Sequence, residues 1–405
     1  MDEIMKENPE ILVSVVMPSY NRYPLNLYAL QSLQKQTFPC SQMEVIFVDD
    51  GSSDETPNIR SQLTTPYSLK WIRNESPLGR SKARNLGVEH ASGRIIVFLD
   101  AEMIAAPTLI ETHYLAQNEQ DGLVVSGCLE LKRLYTMLFP GFNLEQISQL
   151  HALYGDNRQV LTLIDQFYLD GSSSPITLLT SEEMTNMEIL EKRSYGVEYY
   201  NDILNQFGNE LEGFRFSWIN FCSGNVSVSK ELFIKAGGFD ESFVGFGLED
   251  WDLGYRLHKQ GTRFIHDKTA IAYHQEHPIS LYSNWQEHRK NLYTFQAKYK
   301  EIEPKLLILS MVPAFKKNLI KLNRYAFEYE ELRRQFPSEF TLISDTITSL
   351  LSHAALLVSE QKDIIRLTEE AGVSVEILDN CAKAVKKVRK RYPKLAELYE
   401  FLIIL

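Results

Sequence analysis

This sequence predicts an α/β fold with a mostly parallel sheet, followed by a helical C-terminal domain. Three observations carry that prediction. From residue 11 to residue 128, short continuous apolar runs alternate with helix-like segments. Acidic residues follow two of those runs directly, Asp49 and Asp50 after one, Asp100 and Glu102 after another, where open sheets of this type bind ligands. Beyond Gly261 only Gly372 interrupts a chain whose apolar residues recur at helical spacing.

The elements follow in order. Ile11–Met17 is a β-branched apolar run and reads as the first strand. Pro24 with Leu27, Leu30 and Leu33 marks a helix start and its buried face. Val45–Val48 is a second strand and Leu69–Ile72 a weaker third. Ser81–His90 reads as a helix, Gly93 as a turn, and Arg94–Leu99 as the clearest strand. A helix over Pro107–Leu115 and a strand over Leu123–Cys128 complete the series. Such continuous apolar strands are buried on both faces. Residues 130–216 break the alternation; Leu144–Leu163 and Ser181–Leu211 have helical character around the loop Gly171–Pro175, and the segment reads as an insertion over the sheet. Leu306–Phe336, Thr341–Leu367 and Val373–Leu405 read as helices, broken at Pro337 and Pro393. The expected domains are therefore 1–278 and a helical 279–405.

Composition narrows the classes. Of 405 residues, 44% are hydrophobic and 23% charged, ordinary for a soluble globular chain of two domains. The net charge of -11 opposes general binding to nucleic acid. Four scattered cysteines form neither a metal-ligand spacing nor a disulfide framework, so a reducing, cytoplasmic setting is expected. The first residues lack a basic region before an apolar core, so no signal peptide is expected. No run of about 18 apolar residues occurs, so no membrane-spanning helix is expected. Lys383, Lys386, Lys387, Arg389, Lys390 and Arg391 precede the apolar end Phe401–Leu405. This stretch reads first as the solvated face of a packed helix; peripheral contact with the inner face of a membrane, or a homodimer through these helices, are the other options.

Several groups can carry chemistry. In an extended segment, Asp100 and Glu102 point the same way and can share magnesium or manganese, or they are two solvated acids at a strand end. Asp50 can accept a base N–H from a nucleotide, Tyr20 can cover the base or pack in the core, and Asp54 suits a helix cap. No G-x-G-x-x-G or Walker pattern follows any strand, which removes the usual dinucleotide and ATPase signals. Arg84 lies in a basic helix start, Gly79–Asn85, where it either reaches a diphosphate or sits on a solvated face. Glu249-Asp250-Trp251-Asp252 offers a base for an attacking hydroxyl and an indole for a sugar face, or simply an acidic first turn and a core tryptophan. Cys222–Asn225 supplies a turn and an amide able to bind hydroxyls, and Cys222 itself reads as a small buried hydrophobe. His274 is a further metal-ligand candidate or a structural histidine.

In order, VSVVMPSYN (Val13–Asn21), IFVDDGSSD (Ile46–Asp54), GRSKARNLG (Gly79–Gly87), VFLDAE (Val97–Glu102), FCSGNVSVSK (Phe221–Lys230) and AGGFDESFVGFGLEDWDLGYR (Ala236–Arg256) resemble family 2 glycosyltransferases of the GT-A fold. The last block, followed by His274, is similar to the acceptor region of polypeptide N-acetylgalactosaminyltransferases and chondroitin polymerases. The resemblance implies a Rossmann-like nucleotide-diphospho-sugar transferase sheet and inversion by direct displacement. It implies a nucleotide-sugar donor, most often a UDP-sugar, and a glycan, lipid-linked or protein acceptor. Pro18, Tyr20, Asn21 and Asp50 would then hold the nucleoside, and Arg84, Asn225 and Trp251 would serve the substrates. Asp100 and Glu102 would occupy the D-x-D position, with His274 as a further ligand of Mn2+ or Mg2+. Asp250 would be the base and Glu249 would help to hold the acceptor. Glu102 in place of the commoner aspartate is a departure that bears on metal geometry. A sugar-phosphate nucleotidyltransferase and an inactive nucleotide-binding scaffold are the competing readings; a first strand ending in Pro18-Ser19-Tyr20-Asn21 weakens the former, and the intact acids weaken the latter.

Overall fold

The computed structural model describes residues 10–196, 200–279, 281–313 and 318–405. The N-terminal residues read above for a signal peptide lie outside that range in large part. Contacts divide the chain into two units: 1–201, 218–241 and 249–280 in one, and 202–217, 242–248 and 281–405 in the other. Two short segments, 202–217 and 242–248, thus belong with the C-terminal helices although they lie within the expected N-terminal domain.

The first unit is built on strands β1 (Val13–Ser19), β2 (Met43–Asp49), β3 (Ser68–Arg73), β4 (Ile95–Leu99), β5 (Met103–Ala105), β6 (Leu123–Ser126), β7 (Lys132–Leu134), β8 (Met137–Leu138), β9 (Ile176–Thr177), β10 (Ser194–Gly196), β11 (Asn225–Ser229), β12 (Arg263–His266) and β13 (Ala272–Gln275). Seven form the main sheet in the order β12-β6-β11-β4-β1-β2-β3. β3, β2, β1 and β4 run parallel, β11 is antiparallel to β4 and β6, and β12 is parallel to β6. The buried apolar runs expected at β1, β2 and β4 are there, with β2 and β4 buried throughout. β3 is the weaker strand because it is an edge, exposed at both ends. On one face Val15, Met17, Val45, Phe47, Val97 and Leu99 pack with Leu30, Leu33 and Leu109. On the other, Phe98 meets the rings of Phe221, Phe233 and Phe239.

The insertion is less helical than the sequence suggested. Leu144–Leu153 and Arg158–Leu169 are helices, but β7 and β10 join β13 and β5 in a second sheet, ordered β10-β7-β13-β5. In that sheet His274 stands opposite Met103, next to Glu102 in sequence. Helix Glu249–Lys259 has acids in its first turn and Arg256, His258 and Lys259 in its last, which suits the helix dipole. A Cβ at Gly254 would overlap the Trp218 carbonyl oxygen, so only glycine permits this approach.

The second unit is helical. It comprises Leu281–Lys298, Ile302–Leu306, Leu319–Gln335, Pro337–Ser359, Leu367–Glu370, Val375–Val388 and Pro393–Ile404, with Asn201–Phe207 entering it from the insertion. Pro337 and Pro393 occupy first turns, where a missing N–H costs nothing. Pro337–Ser359 is long and apolar enough to cross a membrane by length and composition, yet 56% of its apolar window is buried. Neighbouring helices cover it, as for a core helix. Within the basic stretch, Arg389 pairs with Glu400, while Cys381, Ala384, Val385 and Val388 are buried on the same helix.

Candidate active site

The site grows from the carboxyl ends of β1, β2 and β4. Asp49 accepts from Ser52 N (2.9 Å) and Arg73 Nη1 (2.5 Å), fixing the turn after β2. Asp50 is 5% exposed, and its oxygens accept from Asn74 Nδ2 (2.7 Å), Leu78 N (2.9 Å) and Gly79 N (2.9 Å). Its carboxylate therefore draws the 74–79 loop onto the strand end, leaving about one of its roughly four acceptor positions for a base N–H. Gly51, at φ +78°, permits this closure; a Cβ there would lie 2.8 Å from the Ser76 carbonyl carbon.

Pro18 lies in β1, and Tyr20 follows it, 47% exposed. Asn21, expected among the nucleoside contacts, has a different employment. It sits at φ 50°, which asparagine tolerates, and its Oδ1 accepts from Ser53 N (2.8 Å) and Asp54 N (3.3 Å). Asp54, expected as a helix cap, is not the N-cap residue of the next helix, which is Glu55; it accepts from Tyr23 N and from Thr56 N in the turn before that helix.

The extended segment expected at Asp100–Glu102 does not form. Met103 N donates to Asp100 O at 3.0 Å, so residues 100–103 make a turn, and the two carboxylates have different partners. Asp100 Oδ1 meets Arg84 Nη2 at 3.1 Å. Glu102 instead lies with His274 and His277, one ligand atom of each within 4.8 Å of the others. His277 Nε2 is 3.5 Å from Glu102 Oε1, and Arg22 Nε is 3.5 Å from Oε2. Burial opposes the charge on Glu102, but His277, Arg22 and His274 hold its pKa well below the usual carboxylate range.

The donor set fits a divalent ion. His274 Nδ1 is 3.1 Å from Glu276 Oε1, and His277 Nδ1 is 3.0 Å from the Pro278 carbonyl oxygen. With Nδ1 of each ring directed at an oxygen acceptor, Nε2 is the nitrogen left to face a metal, the arrangement that outer carboxylates and carbonyls favour in ligating histidines. Glu276 is buried; Arg133 at 3.4 Å and the histidines outweigh that burial and lower its pKa. His277, Glu276 and Arg22 went unassigned in the sequence. The H-x-x-H spacing of His274 and His277 was the one available signal.

The second cluster surrounds Arg84, whose side chain is 3% exposed. Its guanidinium meets Asp100 Oδ1 (3.1 Å) and Glu249 Oε1 (3.1 Å), lies 3.8 Å from Asp250 Oδ1, and sits over the Phe239 ring at 5.4 Å. Arg84 is thus committed to three carboxylates rather than extended toward a diphosphate, and Glu249 is its partner. Asp250 Oδ2 accepts from Ser223 N and Oγ, each at 3.0 Å. Asp250 Oδ1 is buried without a hydrogen-bond partner among the described residues. Burial above all, and the Glu249 charge, raise the Asp250 pKa to about 7 against the pull of Arg84 and Ser223. A carboxylate poised there suits a general base near neutral pH.

Asn225 does not face this cluster. It is 2% exposed; Nδ2 donates to Ala270 O (2.7 Å) and Oδ1 pairs with His113 Nε2 (2.9 Å), so its amide is spent in the core. Trp251 is partly exposed, edge-on to Trp218 at 6.2 Å between centroids. Cys222 is only partly buried, and Cys128 Sγ lies 3.4 Å from its carbonyl oxygen.

Residues 14–132 match the family model described as glycosyl transferase family 2, and residues 206–278 match the model described as the N-terminal domain of galactosyltransferase. The Bacillus subtilis protein named uncharacterized glycosyltransferase YfnE is 31% identical over 274 residues, 67% of this chain and 66% of that one. Validoxylamine A glucosyltransferase of Streptomyces hygroscopicus subsp. jinggangensis is 27% identical over 301 residues, 73% of this chain and 63% of its own length. Chondroitin synthase of Escherichia coli is 27% identical over 268 residues, 66% of this chain but 35% of its own length. The N-terminal region of this chain, residues 14–132, belongs to the family 2 glycosyltransferases.

Proposed function

We propose that this protein is an inverting glycosyltransferase that moves a sugar from a nucleoside-diphosphate donor, a UDP-sugar in the first instance, to a hydroxyl of a glycan, lipid-linked or protein acceptor. The observation that carries the reading is Asp250: partly buried, its pKa raised to about 7, and with Oδ1 lacking a hydrogen-bond partner among the described residues, able to take one more proton. In the reaction Asp250 accepts the proton of the acceptor hydroxyl while that oxygen attacks the anomeric carbon. The bond from that carbon to the diphosphate oxygen breaks on the opposite face, and the electron pair leaves with the nucleoside diphosphate. Ser223 holds the carboxylate through Oδ2, and Arg84 ties it to Asp100 and Glu249. Glu102, His274 and His277 would hold a divalent cation, Mn2+ or Mg2+, which neutralises charge on the departing diphosphate. Asp50 and the partly exposed Tyr20 receive the nucleoside. The family of the N-terminal region and the relatives named as sugar transferases support this reading. A cytoplasmic setting suits the four free cysteines.

The test is a thermal-shift screen of UDP, GDP and TDP and their sugars, each with and without Mn2+. Ligands that bind the folded state raise the melting temperature by mass action. A Mn2+-dependent shift with one nucleotide, lost in Glu102→Ala, is expected. Well-folded protein that shifts with no nucleotide would overturn the reading.

A further inference from the structure

The helical unit contains a cavity of about 350 Å3 that the glycosyl-transfer chemistry does not use. Its volume is within the range of small-molecule sites. Tyr293 and Gln296 enter it from helix Leu281–Lys298, Lys305 from helix Ile302–Leu306, and Ser349, Ser352 and His353 from helix Pro337–Ser359. Positions 349, 352 and 353 share one helix face and give it a polar stripe.

Three features of the lining specify an occupant. First, Lys305 is partly buried with Ser352 Oγ, at 2.8 Å, as its partner, and no carboxylate among the described residues neutralises it. Two of its three N–H donors remain for an oxyanion. Burial lowers its pKa, the mark of an ammonium short of negative company in a chain whose net charge is -11. Second, Gln296 is 3% exposed and its Nε2 donates to Lys305 O at 2.8 Å, which fixes the amide orientation. Its Oε1 is then buried without a donor among the described residues and calls for a hydroxyl. Third, Tyr293 is 39% exposed at the rim and offers a ring face. A cation, an orphaned acceptor and an aromatic face together match a sugar ring that carries both hydroxyls and a negative group.

We infer that this cavity is a binding site for an anionic monosaccharide unit, with Lys305 meeting its carboxylate or phosphate, Gln296 a ring hydroxyl, and Tyr293 the face of the ring. The site stands independently of the donor and base assignments.

Titration calorimetry on the full chain tests it with three probes: glucuronic acid, glucose and inorganic phosphate. Glucuronic acid is expected to bind most tightly, because it alone carries ring and charge together. Lys305→Met should weaken it by about tenfold or more, the usual worth of a charge-assisted hydrogen bond. Losing a partly buried ammonium should leave the fold intact, which a thermal melt checks; Ser349→Trp, at an exposed position, fills the entrance as a second variant. Asp250→Asn should retain the binding. Equal affinity for glucose and glucuronic acid would overturn the charge assignment, and equal affinity for phosphate and glucuronic acid would overturn the saccharide. Binding lost in Asp250→Asn but kept in Lys305→Met would move the sugar to the catalytic cluster and sink the inference. Nucleotide shifts in the same proteins report separately on the transferase reading.

Discussion

Replacing Asp250 with asparagine should separate activity from stability in opposite directions. Asparagine keeps the shape and lets one oxygen go on accepting from Ser223 N and Oγ. It removes one of three negative charges around Arg84 and abolishes the proton acceptor. A folded pKa of about 7 against the ordinary value of 3.8 disfavours the ionised form in the folded state. At about 1.36 kcal/mol per unit, a rise of roughly three units corresponds to about 4 kcal/mol at most. The side chain retains 20% exposure, and solvent there reduces the effect, so about 1–4 kcal/mol brackets it. The sign follows from linkage: a raised carboxyl pKa gives stability that is fully present below pH 3.8 and lost as pH rises through about 7. Asp250→Asn should therefore match the wild type near pH 4 and be the more stable protein at pH 8.5. Transfer should fall by about 10²–10⁴-fold, the usual worth of a general base. Urea unfolding at the two pH values, with donor turnover beside it, reads both. Transfer at the wild-type rate removes Asp250 as the base, and destabilisation at pH 8.5 removes the burial account of its pKa.

The wild-type kcat/KM should rise with pH and level off above about pH 7 as Asp250 ionises, and a profile flat from pH 5.5 to 8.5 would contradict that. Glu102→Gln or His277→Ala should weaken Mn2+ binding by calorimetry about tenfold or more, whereas Asp100→Asn should leave it within a few fold, because Asp100 faces Arg84. Glu276→Gln should also weaken Mn2+ by about 10- to 100-fold without supplying a ligand, by loosening the His274 ring. Asp50→Ala should release the 74–79 loop, visible as faster amide exchange at Leu78 and Gly79, and unchanged exchange there would refute the pinning role.

The strands that place the site were readable because each is a continuous apolar run. The acids at their ends were readable because nothing apolar explains them. What escaped was set by backbone direction and by distant partners. A strand rule put Asp100 and Glu102 on one side, but the Met103 N–H closes a turn that no residue type announced. Asn225 resembled a ligand-binding amide until His113, 112 positions away, proved to hold it. Ser223, which steadies the candidate base, was legible only as a member of the Cys222–Asn225 turn, not as the partner of Asp250. The short strand β10 sat in a segment of helical character, and pairing with β7, itself paired with β13, decided its conformation rather than propensity.

The assignment of 202–217 and 242–248 to the helical unit has a consequence for inheritance. Arg215 is held by Glu303 and Asn323, and the carbonyls of Val244, Phe246 and Gly247 are held by Asn291. A single crossover near residue 280 would strand both segments among residues they never met. Relatives can exchange their C-terminal helices with this chain only when these two stretches travel with them, so the stretches and the helices must diverge in step.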